Sequence, residues 1–158
     1  MQPNGLLARF LPYQLSLASN AVSGRIAMEY RQRWSLSIPE WRVMAVLGDS
    51  GAVTQRDLTR RTLMDKVAVN RACKVLEERG LARRQPNEQD GRSHLLDLTG
   101  EGRAMHAEIM PIALEMEQKL FDGFTADELD LFRALLKKAR LQADDLSDGD
   151  LKGGYGIR

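Results

Sequence analysis

Apolar positions recur at helical spacing through most of this chain and change pattern in one place. From about residue 12 to residue 33, Leu15, Ala18, Val22, Ile26 and Tyr30 form a stripe that Leu17, Ala21 and Met28 widen. The pattern predicts a long helix with more apolar surface than a small domain's terminal helix needs. Such a surface suits packing against another chain. Trp41, Met44, Ala45 and Leu47 predict a second helix ending near Gly48 and Gly51, and Leu58 with Leu63 predicts a short third one. Between residues 65 and 79, at ~100° per residue, Val69, Ala72, Cys73 and Leu76 share one side of a fourth helix. Val67, Asn70, Arg71 and Lys74 collect on its other side, with Glu78 at the far end. Ala104, Met105, Ile109, Ile112, Met116 and Leu120 mark a long helix from Thr99 to about Gly123, which Pro111 should bend or loosen by a turn. Leu129, Phe132, Leu135 and Leu136 give a last helix its apolar face. The change of pattern lies at 81–85 and 94–98, two short strand-like runs that flank the turn-rich segment PNEQDGRS.

Start and stop signals place these elements. Ser37 and Glu40 stand at capping-box spacing with Pro39 between them, and Thr125 with Glu128 repeats the spacing. Thr54 is positioned to cap the short helix, with Asp57 in its first turn. Gly80 follows the fourth helix where a left-handed residue commonly closes one. Helix, short helix, tight link, helix and then a ribbon is the order of a winged helix-turn-helix. The predicted fold is mainly α with a small β-wing. Its winged helix-turn-helix spans about 37–99, flanked by N- and C-terminal dimerisation helices at about 12–33 and 99–142. With no dividing linker, 1–158 is expected to be a single domain, and its acidic, glycine-rich tail 143–158 is expected to fray.

The polar side of the fourth helix carries the candidate chemistry. Asparagine pairs with adenine, arginine and lysine with guanine or phosphate, and valine can touch a thymine methyl. Lys66, Val67, Asn70, Arg71 and Lys74 are therefore candidate groove residues. Taken alone, that face also fits an ordinary amphipathic helix with solvated charges. The ribbon shifts the balance. Arg83, Arg84, Arg92, Ser93 and His94 sit on it or at its tip, and an exposed loop arginine suits the electronegative minor groove. Asp90 is expected to hold the loop by pairing with the Arg92 guanidinium. The first helix of the unit should cross the phosphate backbone, which makes Thr54, Gln55 and Arg56 candidate phosphate contacts. The expected partner is double-stranded DNA carrying a pseudo-palindromic operator, bound by a homodimer.

The pattern MDKVAVNRACKVLEERGLARR, followed by DGRSHLLDLTGEG, resembles the MarR family of bacterial winged-helix transcriptional regulators, and the likeness runs from about Leu15 to Leu141. In that family a recognition helix ends in leucine, charged residues and glycine; an Asp-x-Arg wing tip and a leucine-threonine helix start follow. Asp90, Arg92, Leu98, Thr99 and Gly102 match those positions, and Gly91 fills the variable middle of the tip. The resemblance implies a dimer joined through its terminal helices. It also implies a small-molecule effector bound between the dimerisation helices and the DNA-binding lobe. Arg25, Trp41 and Arg42 are candidate ligand residues there, offering a cation and an aromatic wall to an aromatic-acid type of ligand. A repressor is the expected form, and a regulator of another winged-helix family is the main alternative.

Composition agrees without deciding. Hydrophobic residues make up 43% of the 158 and charged residues 28%, as in a globular protein rather than a disordered one. Net charge is only +1, but its distribution matters more. Residues 50–103 hold eleven basic and eight acidic side chains, whereas 104–158 hold seven and eleven. No apolar run approaches the ~20 residues a membrane crossing needs, and MQPNGLLARF lacks the features of a secretory signal. A single cysteine allows no internal disulfide, so a cytoplasmic protein associated with the nucleoid is expected, with no membrane partner.

Catalysis finds little support. The two histidines, His94 and His106, are not at metal-ligand spacing, and Gly100-Glu101-Gly102 lacks the third glycine of a dinucleotide loop. Asp144, Asp145, Asp148 and Asp150 do not have calcium-loop spacing. No catalytic residue, metal site or cofactor is nominated, and no enzyme is expected. A thiol-responsive sensor is a further alternative, but Cys73 lies on the core-facing stripe with no second cysteine to resolve it.

Overall fold

The computed structural model describes residues 5–146, so of the tail at 143–158 the part from 147 onward lies outside the described residues. The chain divides into two compact units, Met1–Leu120 and Phe121–Arg158. No described helix is long and apolar enough to cross a membrane.

In the first unit a short turn, α1 (Leu6–Arg9), leads into α2 (Leu11–Trp34) and α3 (Ile38–Ser50). The capping box at the start of α3 forms in full: Glu40 N–H donates to Ser37 Oγ at 3.3 Å, and Ser37 N–H donates to the Glu40 carboxylate at 2.5 Å. A two-residue strand, β1 (Val53–Thr54), precedes α4 (Gln55–Thr62), and Thr54 Oγ1 caps that helix by accepting from Asp57 N–H at 3.1 Å. The sequence pattern does not signal β1, because two residues carry no period.

Helix α5 (Lys66–Glu78) follows a tight link. Leu63, expected to anchor α4, is instead 63% exposed and sits in the left-handed region at φ 52°. Ending α4 that way turns Leu63 outward and packs Met64 against the core. Asp65 caps α5 through Ala68 N–H at 2.8 Å. Val69, Ala72, Cys73 and Leu76 are all buried, as the spacing predicts; each large apolar side chain so buried contributes ~1.5–3 kcal/mol.

The far end of α5 is closed by Gly80 at φ 71°. Gly80 N–H donates to Glu77 O at 3.0 Å and Leu81 N–H to Leu76 O at 2.9 Å, the paired bonds of a Schellman motif, and both leucines are buried. Arg79, the last cap residue, reaches back to α2, where its guanidinium donates to the carbonyls of Trp34 and Ser35 at 2.9 and 3.0 Å. Those are among the carbonyls a helix end leaves unpaired.

The wing is β2 (Ala82–Pro86) and β3 (His94–Leu98), antiparallel, with β1 on the other side of β3. Ala82 pairs with Leu98 and Arg84 with Leu96, so Arg84 shares the face of buried Ala82 and points toward α5, while Arg83 lies on the opposite face. Long helix α6 (Gly100–Leu120) begins at the wing's root. Thr99 N–H donates to Leu81 O at 3.0 Å, its hydroxyl donates to Gly80 O at 2.6 Å, and that hydroxyl caps Gly102 N–H at 3.1 Å. A Cβ at Gly102 would overlap the Leu81 carbonyl oxygen, so the matched Gly102 has a packing reason. Pro111 does not interrupt α6; Ala107, whose carbonyl loses its partner there, is exposed and open to water.

The second unit holds α7 (Ala126–Asp145), capped by Thr125 through Glu128 N–H at 3.1 Å. Phe121, Phe124 and Phe132 gather with ring centroids 5.3–6.3 Å apart. No residue of α7 is buried.

Candidate nucleic-acid interface

α5 presents its polar side to solvent. Lys66, Asn70, Arg71 and Lys74 are exposed, and Val67 is 65% exposed. Among the described residues the side chains of Lys66, Arg71 and Lys74 make no hydrogen bond or ion pair, which leaves three cationic donors unspent on the side opposite the core. Arg56, exposed on the first turn of α4, is likewise unpaired, while Arg60 and Arg61 beside it are tied to Asp57 and Ser50.

Three other expected contact residues form one network. Arg84 Nε meets the Glu77 carboxylate, Arg84 Nη2 donates to Gln55 Oε1 at 3.1 Å, and Gln55 Nε2 donates to Asn70 Oδ1 at 3.1 Å. The start of α4, the middle of α5 and the root of the wing are thereby connected. Glu77 is not among the expected site residues; the network joins residues far apart in sequence, and no local pattern signals it.

The wing tip is braced by its own polar side chains. Asn87 Oδ1 accepts from Gln89 N–H at 3.2 Å, and Asn87 Nδ2 donates to Ser93 Oγ at 2.9 Å. Ser93 therefore has its hydroxyl engaged inside the wing. Asp90 Oδ1 accepts from the backbone N–H of Arg92 at 3.1 Å. The expected pairing of Asp90 with the Arg92 guanidinium does not form, because a short carboxylate two residues upstream reaches the main chain first. Arg92 is exposed and its guanidinium has no partner among the described residues. His94 is exposed at the start of β3. Arg83 faces away from α5 opposite Asp97, whose carboxylate is taken by Arg103 at 2.9 and 3.0 Å.

The expected ligand residues are not gathered in one crevice. Arg25 pairs with Glu29 at 3.2 Å and lines an opening of about 110 Å³ between α2 and α6, with Arg33, Ile112, Glu115, Met116 and Lys119. Neither Trp41 nor Arg42 lines it. Trp41 packs against the core between Tyr30, at 5.1 Å, and His106, stacked at 5.9 Å. Gly48 makes room for His106, since a Cβ there would overlap the imidazole. Arg42 is exposed on α3.

Cys73 is wholly buried, and burial pushes its thiol from 9.0 up to about 11. A protonated thiol inside the core is a poor nucleophile. Among the described residues no group of three His, Cys, Asp or Glu side chains could hold a metal ion.

Comparison with known proteins places this geometry. A model described as MarR family matches residues 34–93, from the end of α2 to the wing tip. The transcriptional regulator HosA of Escherichia coli is 26% identical over 119 residues, covering 72% of this chain and 88% of HosA. A MarR/EmrR family transcriptional regulator from Acinetobacter superposes with a TM-score of 0.84 at 26% identity, over 90% of this chain and all of that one. A mutant of Escherichia coli MarR complexed with operator DNA superposes at 0.72 with 25% identity, over 82% and 92% of the two chains. Bordetella bronchiseptica BpsR, whose DNA binding is regulated by 6-hydroxynicotinic acid, superposes at 0.68 with 26% identity, over 80% and 98%.

Proposed function

We propose that this chain is a DNA-binding transcriptional regulator of the MarR family, a homodimeric repressor that leaves its operator when a small anionic ligand binds. The observation that carries the reading is the open side of α5, where Lys66, Arg71 and Lys74 keep their side chains unpaired among the described residues, as does Arg92 at the wing tip. In this reading α5 enters the major groove, and Val67, Asn70 and the three cations meet base edges and phosphates. Arg92 reaches the adjacent minor groove, with Ser93 and His94 beside it. Thr54, Gln55 and Arg56 lie along the backbone, Arg83 adds positive charge at the ribbon, and Arg84, its charge matched by Glu77, ties the ribbon to α5.

Two copies would read a pseudo-palindrome with half-sites ~10 bp apart. Support for pairing comes from apolar side chains that the single chain leaves in water. Leu11, Leu15, Leu17 and Met28 of α2 are 48–74% exposed, and Leu131, Leu135, Leu136 and Leu141 of α7 are 41–59% exposed. Monomers rarely leave so many large apolar groups uncovered on two helices.

Support for ligand control comes from BpsR, which responds to a heteroaromatic acid. In this chain Arg25, Arg33 and Lys119 stand around the α2–α6 opening, paired there with Glu29 and Glu115 at 2.9–3.2 Å, so a ligand carboxylate would take them by displacing those acids. Trp41 and Arg42 would act from α3, Trp41 through the aromatic stack it anchors. Titrations of operator DNA at fixed salt test the core of the proposal. Arg71→Ala and Arg92→Ala should each weaken binding about ten-fold while light scattering still reports a dimer. Unchanged affinity in both variants would sink it. Release of DNA by phenolic or pyridine carboxylic acids tests the ligand arm separately.

A further inference from the structure

The hydrogen bonds behind Asn70 run in one direction only. An ionised carboxylate can only accept and a guanidinium can only donate, so Glu77 and Arg84 fix the sense of the chain from one end. Arg84 donates through Nε to Glu77 and through Nη2 to Gln55 Oε1. Gln55 must turn its carbonyl to the arginine, which turns its NH2 group toward α5. There Nε2 meets Asn70 Oδ1 at 3.1 Å. Asn70, exposed on the open side of α5, thus has its oxygen engaged from behind and its NH2 group left over. The Glu77–Arg84 pair is partly screened from water, with side chains 26% and 40% exposed, so it can hold the guanidinium in place.

The geometry points to Asn70 as a donor-only reader of DNA, with Gln55, Arg84 and Glu77 as positioning residues that set its polarity. The inference rests on the proposed approach of α5 to the major groove. A free asparagine pairs with adenine through both amide atoms, accepting from N6 and donating to N7. With one lone pair of Oδ1 given to Gln55 and the oxygen turned toward α4, the outward-facing two-atom pairing with adenine is weakened. An NH2 group alone favours the acceptors O6 and N7 of guanine or O4 of thymine. Adenine still offers it N7 but sets the N6 amine beside it donor to donor, and cytosine offers only the N4 amine. Asn70 therefore selects a keto base over an amino base on the strand it touches.

The experiment measures base preference at one operator position rather than affinity. Selected DNA is substituted base by base, and Asn70→Ala identifies the position whose preference it flattens. The natural chain should favour guanine or thymine there by about five-fold, the worth of one net hydrogen bond. Gln55→Glu then reverses the relay. One carboxylate oxygen takes Arg84, the other draws the Asn70 NH2 group inward, and Oδ1 faces the groove. Preference should move to adenine or cytosine. The added negative charge lowers affinity for every sequence alike, so the ratio between bases is unaffected by it. An acid in the first turn of α4 suits that helix end, so the variant folds. Arg84→Met frees both amides, and the keto preference should fall below about two-fold as adenine gains. If Asn70→Ala flattens a position but Gln55→Glu and Arg84→Met leave its keto preference intact, Asn70 reads DNA and the relay does not set how. If Asn70→Ala flattens nothing, contact through Asn70 fails and the inference fails with it.

Discussion

Two of the wing's three exposed arginines, Arg84 at its root and Arg92 at its tip, stand eight residues apart and are held in opposite ways. Arg84 has its guanidinium spread between Glu77 and Gln55. Arg92 is fixed only through its backbone N–H, which Asp90 accepts, and its guanidinium is free. The same side chain therefore has two uses. At the root its charge is largely matched and its rotamer already fixed, so it contributes geometry. At the tip its charge is unmatched on a braced loop, so it is available to phosphates or a narrow groove at little cost in loop entropy.

The largest way to break this comparison is to spoil the root itself. Gly102→Ala removes a poor helix former, which alone should stabilise α6 by about 1 kcal/mol. The overlap of the new Cβ with the Leu81 carbonyl oxygen should outweigh that gain. Chemical denaturation should show a net loss of about 2–4 kcal/mol. A more stable variant would mean that the wing root is looser than described.

Arg92→Ala is next in size and should act on DNA alone. Unfolding free energy should stay within about 0.5 kcal/mol, while operator affinity falls about ten-fold and the salt dependence drops by about one counterion per wing. Arg84→Ala should give the reverse balance: about 1 kcal/mol of stability lost with its half-exposed ion pair, and a smaller change in salt dependence than at the tip. Equal salt slopes for the two variants would erase the distinction between root and tip.

The smallest effect is expected at Cys73, on the closed side of α5. At neutral pH its thiol should resist alkylation in the folded protein and react only on unfolding. The folded thiol keeps its proton until about pH 11, whereas a thiol released on unfolding loses it near 9.0. Between those values the folded state binds more protons, so stability should fall as pH rises from about 9 to about 11. Rapid labelling at pH 7 would show that this side of α5 opens.

Much of the scaffold is legible in the sequence because it rests on local rules. The spacing of Val69, Ala72, Cys73 and Leu76 marks the buried side of α5, and Ser37 with Glu40, Thr54 and Gly80 mark helix ends through bonds spanning three to five residues. What is illegible depends on residues that meet only after folding. Gln55 reaches Asn70 and Arg84 across 15 and 29 positions, and Arg79 reaches the end of α2 across 44 and 45. Trp41 shows the same limit from the other side. An aromatic residue on an apolar face reads as ligand wall or as core, and only its packing between Tyr30 and His106 sets it against the core. Asp90 and Arg92 mislead more subtly, since their spacing suits an ion pair as well as the Asx turn that forms.

Selection of duplexes from a random DNA pool by this chain tests the central claim most directly, because sequence, symmetry and spacing emerge together. The account predicts enrichment of a pseudo-palindrome with half-site centres ~10 bp apart, and weaker enrichment by Arg71→Ala and Arg92→Ala. A pool that stays random, or a motif that both variants enrich as well as the natural chain, would contradict it.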